Sequence, residues 1–298
     1  MHPERTVVTT ERDAAPAVDD TLACVTVSFR SGDAMADLIE SIEHSTVVPA
    51  TTVIVNNAPD DHISVSSNRA SIRVVEAGRN LGYGSAVNLG VRSLEPEIEW
   101  ILITNPDVRL GAKALASLLA TARSMPAGGA WGPKIRDSRN KVYPSARELP
   151  SLRTGIGHAL FANAWRKNPW TRRYRGENRP SGTSWRETGW LSGSCLLVRR
   201  SAFEAVGGFD ESYFMYFEDV DLGKRLTAGG WQNIYAPAAT VVHTGAHSTA
   251  TSASAMRAVH HKSAYQYLAR KYHAWYLWPL RVALRAGLAL RSRLTHRA

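Results

Sequence analysis

The stretch "SYFMYFEDVDLGKRL" (212–226) sets three carboxylates, Glu218, Asp219 and Asp221, directly behind aromatic and apolar side chains. Partial desolvation there raises a carboxyl pKa toward that of a useful general base. The same acids also suit the first turn of a helix beginning near Phe217 and ending at Gly229–Gly230, where the dipole favours negative charge by roughly 0.3–1 kcal/mol each. The dipole explains where the acids lie. It leaves the aromatic flank unexplained, and also the adjacent Glu218–Asp219 pair, whose members point to different helix faces.

A further acid, Asp107, stands in "ILITNPDVRL" on the turn after an apolar run. One or two such carboxylates, completed by phosphate oxygens, hold Mg²⁺. The competing reading is a plain Asn-Pro-Asp turn, with Asp107 capping the helix that follows Gly111. His243 ends the late run "ATVVH", where a neutral imidazole either completes a cation site with Asp107 or makes a structural hydrogen bond. In "GRNLGYGSAVNLGV", Gly82 and Gly84 let the backbone approach a base or phosphate where a helix starts, or simply ease that start. The third glycine of the dinucleotide fingerprint is missing.

These groups need a frame to position them. "TLACVTVSF", "TTVIVNN", "SIRVVEA" and "EWILIT" read as strands, and "DAMADLIESIEHS", "GYGSAVNLGVRSL" and "AKALASLLATARS" as helical stretches between and after them. Such alternation predicts an α/β fold with a mostly parallel sheet covered on both faces. Ligands then bind at the carboxyl ends of the strands, where Asn56-Asn57, Asn80 to Gly84 and Asn105-Pro106-Asp107 fall. Residues 136–187 are basic and rich in Trp, Pro and Gly, predicting loops and short helices over one side of the site. "SCLLVRRSAFEAVGGFD", "QNIYA" and "ATVVHTG" restore regularity, and two helical stretches broken near Pro279 follow Ser252.

The chain has 298 residues, 44% of them apolar, and a formal charge of +10, which favours anionic partners. Its two cysteines, Cys24 and Cys195, lie inside apolar runs and argue for a reducing compartment over a disulfide framework. Residues 1–20 mix charges of both signs, lack the apolar core of a signal peptide and predict a mobile tail. No run reaches the ~18 uncharged apolar residues of a membrane span.

Together the four motifs resemble glycosyltransferase family 2, inverting enzymes of GT-A (nucleotide-diphospho-sugar transferase) fold; the likeness runs from about Leu22 to His247. The segment "WLSGSCLLVRRSAFEAVGGFDESYFMYFEDVDLGKRL" is most similar to bacterial rhamnosyltransferases that build lipid-linked cell-wall intermediates. The resemblance implies Asp219 as catalytic base, with Glu218 beside it near the acceptor. It implies Asp107 and His243 at a Mg²⁺ or Mn²⁺ ion, with Asn105 in the first slot of the family's Asp-x-Asp motif. Donor contacts are implied for Ser28, Phe29, Arg30, Asn56, Asn57, Asn80, Gly82, Tyr83, Gly84 and Asn88, and acceptor contacts for Trp190, Ser192, Gly193 and Ser194. Two departures stand out: Asn56 replaces the family's base-reading Asp, though its carbonyl can still accept from a pyrimidine N3–H, and Asn105 replaces the first metal-motif acid. The implied donor is dTDP-rhamnose and the implied acceptor an N-acetylglucosaminyl diphosphoryl polyprenol, with galactofuranosyl or mannosyl transfer as the nearest alternatives.

The expected organisation is a tail at 1–20, a catalytic domain at 21–250 (nucleotide-sugar half 21–135, acceptor half 136–250) and an extension at 251–298. After Asp221 the chain carries no Asp or Glu but eleven Lys and Arg. "AWYLWPLRVALRAGLALRSRL" interleaves Trp275, Tyr276 and Trp278 with arginines, which suits a helix lying on an anionic membrane surface. A helix packed on the domain, or a contact within a homo-oligomer, is the competing use. The expected place is the cytoplasm, peripheral on the inner face of the plasma membrane. A sugar nucleotidyltransferase would want a "GxGTR"-like loop where this chain has "SFRSGD". A nucleic-acid-binding protein would leave Asp107, Asp219 and His243 without a task, so no nucleic-acid partner is expected.

Overall fold

The computed structural model describes residues 17–67, 71–151, 184–245 and 253–294. The first sixteen residues of the expected tail and most of the expected loop region, 152–183, lie outside the described residues. The main sheet has the order β3-β2-β1-β4-β11-β6-β12-β5. Its members are β1 (Ala17–Ser28), β2 (Val47–Asn56), β3 (Ser71–Glu76), β4 (Trp100–Thr104), β5 (Val108–Leu110), β6 (Gly128–Arg136), β11 (Cys195–Arg199) and β12 (Gln232–His243). β7 (Val142–Tyr143) pairs with β6, β9 (Arg186–Thr188) pairs with β12, and β8 (Ala146–Arg147) and β10 (Trp190–Leu191) form a separate two-stranded sheet. β1, β2, β3 and β4 run parallel, β11 runs against both β4 and β6, and β12 runs parallel to β6. The sheet is thus mixed but mostly parallel, as expected.

β1 alternates between two cores. Leu22 and Cys24 pack in one cluster with α1 (Asp33–Glu43) and α3 (Ala114–Arg123). Ala23, Val25 and Val27 pack in the other with α2 (Tyr83–Arg92), α4 (Arg200–Ala205) and α5 (Glu218–Ala228). A strand covered on both faces reads as a continuous apolar run, which is why "LACVTV" shows no alternation.

Three boundaries differ from the sequence reading. β1 begins at Ala17, inside the expected tail, because Ala17, Val18 and Asp19 pair with β2 and Asp19 ties to Arg123 at 2.6 Å. "QNIYA" and "ATVVH" form one strand, β12, carried across Pro237 by a register shift between Ala236 and Thr240. The C-terminal helices break at 272–274, between α6 (Ala253–Lys271) and a short 3₁₀ turn, Trp275–Leu277, that runs into α7 (Trp278–Leu294). Pro279 sits in the first turn of α7, where its missing N–H has no intrahelical partner to lose.

α6 packs on the catalytic unit. Tyr267 is buried against Tyr213 and Val220, Ser263 Oγ donates to the Met215 carbonyl at 2.8 Å, and Arg270 pairs with Asp210 at 2.5 Å. The 251–298 extension therefore divides: its first helix belongs to the body, whereas Trp275, Tyr276 and Trp278 are 82, 65 and 59% exposed.

Candidate active site

The parallel strands bring their carboxyl ends to one edge, at Ser28, Asn56, Thr104 and His243. β11 runs the other way, so its starting loop, Ser192–Ser194, arrives at the same edge, with Cys195 opposite Thr104. This antiparallel insertion places that loop beside the turn that follows β4.

That loop bridges the two acidic motifs. Gly193 N–H donates to Asp219 Oδ2 at 3.1 Å, while the next residue's carbonyl, Ser194 O, accepts from Asn105 N at 2.9 Å. Asn105 Nδ2 lies 3.4 Å from His243 Nε2, which lies 3.1 Å from Asp107 Oδ1. Asp107 is no helix cap: β5 intervenes before α3, whose N-cap is Lys113. Burial pushes the Asp107 carboxyl up, but the hydrogen bond and charge of His243 outweigh it and hold the group below the usual carboxylate range. A carboxylate next to an imidazole is a donor set that suits Mn²⁺ or Mg²⁺ when phosphate oxygens complete the shell. Among the described residues no third His, Cys, Asp or Glu joins them.

At the other side, α5 opens on two consecutive left-handed residues, Tyr216 (φ 66°) and Phe217 (φ 71°). Bulky residues seldom adopt this conformation, and each costs on the order of 1–3 kcal/mol unless its surroundings hold it. Here the holding comes from α6: His260 meets the Tyr216 and Phe217 rings at 5.3 and 5.5 Å, and Tyr267 meets Phe217 at 5.6 Å. The turn aims the aromatic flank at α6 and Asp219 at the Ser192–Ser194 loop.

The three acids then separate by environment. Asp221 is paired with Arg225 one turn on, at 2.6 Å, and is structural. Glu218 is buried, its Oε2 has no hydrogen-bond partner among the described residues, and burial together with the neighbouring Asp219 charge pushes it up to about 8. Burial also raises Asp219, but that carboxylate accepts from Gly193 N–H and, through Oδ1, from Val220 N–H at 2.8 Å, with the Arg147 charge nearby. The two N–H donors favour the ionised form of Asp219 against its burial, whereas burial beside another acid favours the protonated form of Glu218. Only Asp219 is partly exposed. Tyr83, its phenol held well above its ordinary value by burial and by Glu218 and Asp219, donates to the Gly193 carbonyl at 2.7 Å and steadies the bridging loop.

Several residues expected to touch the donor are engaged elsewhere. Leu81, Gly82 and Tyr83 N–H already donate to Asn57 Oδ1, Asn80 Oδ1 and Phe214 O, so this helix start is no open phosphate cradle. The glycines serve packing between motifs: a Cβ on Gly82 would lie 2.1 Å from the Phe214 carbonyl oxygen, and one on Gly84 2.9 Å from Phe209 Cβ. Asn88 is buried with both ends of its amide bonded to the Phe209 backbone. Asn56 is also buried; its carbonyl accepts from Ala58 N–H and its amide donates to Asp61 O and Glu76. Ser28 O accepts from Asn57 N–H, Phe29 N–H donates to Ser31 Oγ, and Arg30 pairs with Asp60 at 2.5 Å. On the acceptor side, Ser192 and Ser194 hydroxyls lie 3.0 Å apart and Trp190 Nε1 donates to Glu148 O.

One residue near Asp219 escaped the sequence reading. Arg147 stands in β8 (Ala146–Arg147), directly opposite Trp190 of β10 (Trp190–Leu191), a pairing across a long sequence gap that leaves no local spacing signal.

Fold and site together define a glycosyltransferase of GT-A architecture. A model of "Glycosyltransferase like family 2" matches residues 20–261, and the chain belongs to that family. It is 44% identical, over 94% of both chains, to the N-acetylglucosaminyl-diphospho-decaprenol L-rhamnosyltransferase of Mycobacterium tuberculosis. It is 29% identical to the rhamnosyltransferase WbbL of Escherichia coli K12, over 72% of this chain and 85% of that one. Among solved structures, the mannosyltransferase PcManGT of Pyrobaculum calidifontis, in complex with GDP-Man and Mn²⁺, shares the fold with a TM-score of 0.55 at 16% identity, covering 95% of this chain and 74% of that one.

Proposed function

We propose that this chain is an inverting L-rhamnosyltransferase, moving rhamnose from dTDP-rhamnose onto an N-acetylglucosaminyl-diphospho-polyprenol during cell-wall polysaccharide assembly. The observation that carries the reading is the Ser192–Ser194 loop, bonded to Asp219 on one side and to the Asn105 turn on the other. It gives a donor-side and an acceptor-side acid one shared edge of the sheet. The near full-length likeness to the mycobacterial enzyme supports the sugar and the lipid-linked acceptor.

In this reaction Asp219 accepts the proton of an acceptor hydroxyl as that oxygen attacks the anomeric carbon. The bond to the diphosphate breaks on the opposite face, its electron pair leaves with the diphosphate, and the configuration inverts. The two backbone N–H groups on Asp219 aim the base and favour its ionised form, while burial of Glu218 favours the uncharged form of that neighbour. Asp107 and His243 would hold Mg²⁺ or Mn²⁺, which stabilises charge on the departing diphosphate when bound.

The exposed Trp275, Tyr276 and Trp278, with exposed Arg285 on α7, support peripheral attachment to an anionic inner leaflet, such a basic residue contributing about 1 kcal/mol. No helix among the described residues is long and apolar enough to cross a membrane.

The test is incubation with UDP-, GDP- and dTDP-sugars and a synthetic N-acetylglucosaminyl-diphospho-polyprenol, scoring nucleotide diphosphate release and the lipid product. Rhamnosylated lipid from dTDP-rhamnose is expected; transfer of another sugar, or none, overturns the reading. Co-sedimentation with vesicles should rise with anionic lipid content and fall for Trp275→Ser/Trp278→Ser. Sedimentation indifferent to anionic lipid rejects the attachment.

A further inference from the structure

The acceptor side of the site contains a cation with no ion pair within salt-bridge distance among the described residues. Arg147 is partly exposed, and its guanidinium carbon lies 5.5 Å from the ring centres of both Tyr143 and Trp190. Its Nε donates to the Pro144 carbonyl at 2.7 Å. Trp190 is itself fixed, through Nε1 to Glu148 O and by pairing opposite Arg147 in the β8–β10 ladder. Two aromatic contacts and one hydrogen bond thus orient the guanidinium, while its two terminal NH₂ groups have no hydrogen-bond or ion-pair partner among the described residues.

This arrangement differs from that of several other arginines of the chain. Arg30, Arg92 and Arg270 are paired with Asp60, Glu211 and Asp210. Aromatic stacking holds an arginine without neutralising it and leaves its planar fork free for a bidentate oxyanion. Position narrows the ligand. Arg147 is close enough to act electrostatically on Asp219, and Trp190 opposite it leads within three residues to Gly193, which bonds that base. Asp219 meets the attacking hydroxyl, so an anion at Arg147 lies on the acceptor. A sugar joined to its carrier through a diphosphate presents such an anion one ring away from its hydroxyls.

We infer that Arg147, clamped by Tyr143 and Trp190, is the subsite that reads the diphosphate of the acceptor, making the enzyme select a diphosphate-linked sugar over the same sugar on a neutral carrier. This rests on the proposed function above. The same chemistry exists on the donor, so the test must separate the two.

Arg147→Ala, Arg147→Lys and the parent enzyme would be assayed with two acceptors: N-acetylglucosaminyl diphosphate on a short polyprenol, and a neutral alkyl N-acetylglucosaminide of similar apolar length. Donor affinity is measured separately by calorimetry with dTDP and Mn²⁺. Charge-assisted hydrogen bonds of this kind make the parent prefer the diphosphate acceptor, in kcat/KM, by on the order of 10–100-fold. Arg147→Ala should erase most of that preference, chiefly through KM for the diphosphate acceptor, while Arg147→Lys keeps part of it and dTDP affinity stays unchanged. Loss of the Arg147 charge beside Asp219 would slow both acceptors alike, so the ratio isolates the subsite. A preserved ratio in Arg147→Ala, or a loss of dTDP affinity that accounts for the defect, overturns the inference. A parent enzyme that rhamnosylates neither acceptor sinks the proposed function instead.

Discussion

Asp219→Asn is the substitution that probes the site most directly, and two separate losses follow from its surroundings. Removing a general base typically costs 10²–10⁴-fold in rate, about 3–5 kcal/mol of barrier. The second loss is structural. Gly193 N–H and Val220 N–H each donate to a different carboxylate oxygen, at 3.1 and 2.8 Å. An amide has one acceptor atom, so its NH₂ must face one of these donors, and a hydrogen bond lost at a partly buried group costs about 1–3 kcal/mol. The thermal midpoint should therefore fall by a few degrees, at about 2–4 °C per kcal/mol. Donor affinity should stay unchanged, because Asp107 and His243 are held by each other and not by Asp219. The assay is nucleotide diphosphate release at saturating donor and acceptor, with donor binding followed by calorimetry and folding by melting. A folded variant working within tenfold of the parent removes Asp219 as the base. A rate loss matched by an equal loss of donor affinity refutes the division of the cleft.

Glu218→Gln tests the protonation assignment: the carboxyl is pushed up from 4.5 to about 8, so the folded chain retains a proton that the unfolded chain releases between those values. Parental stability therefore declines as pH rises through that window, and the variant escapes the decline. Its melting midpoint relative to the parent should climb from pH 5 to pH 9; a gap independent of pH contradicts the assignment. Gly82→Ala combines a positive φ of 82° with a Cβ 2.1 Å from the Phe214 carbonyl oxygen. The φ strain alone is about 1–3 kcal/mol, so both melting temperature and activity should fall, and a parental melting curve would disprove the close approach. Asp107→Ala should weaken Mn²⁺-dependent donor binding in calorimetry and leave metal-free binding nearly intact; equal affinity with and without Mn²⁺ in the parent would dismiss the cation site.

Local signals made the acid-bearing helix legible: an aromatic run, three acids and a paired glycine stop predicted its limits within a residue of Glu218–Ala228. The same holds for β4 and its Asn-Pro-Asp turn. What stayed hidden depends on partners far along the chain. Gly82 meets Phe214 and Asn88 meets Phe209, so neither role has a sequence period. Arg147 looks like one basic residue in a basic segment until β8 and β10 pair. The donor-side amides carry a further demand that chain order does not reveal: buried Asn56 and Asn57 also satisfy loop backbone. β12 was split because Pro237 resembles a terminator, whereas a bulge absorbs it.

The division within the C-terminal extension determines where the chain can be shortened. Ser263, Gln266 and Arg270 of α6 fasten Met215, Ser212 and Asp210, the segment that delivers the strained turn and the acids behind it. A stop codon before α6 would release that segment and disable catalysis, however intact the sheet. A stop just past His273 would leave the acids anchored and, if the proposed attachment holds, yield an enzyme that works on detergent-dispersed acceptor but does not gather on vesicles.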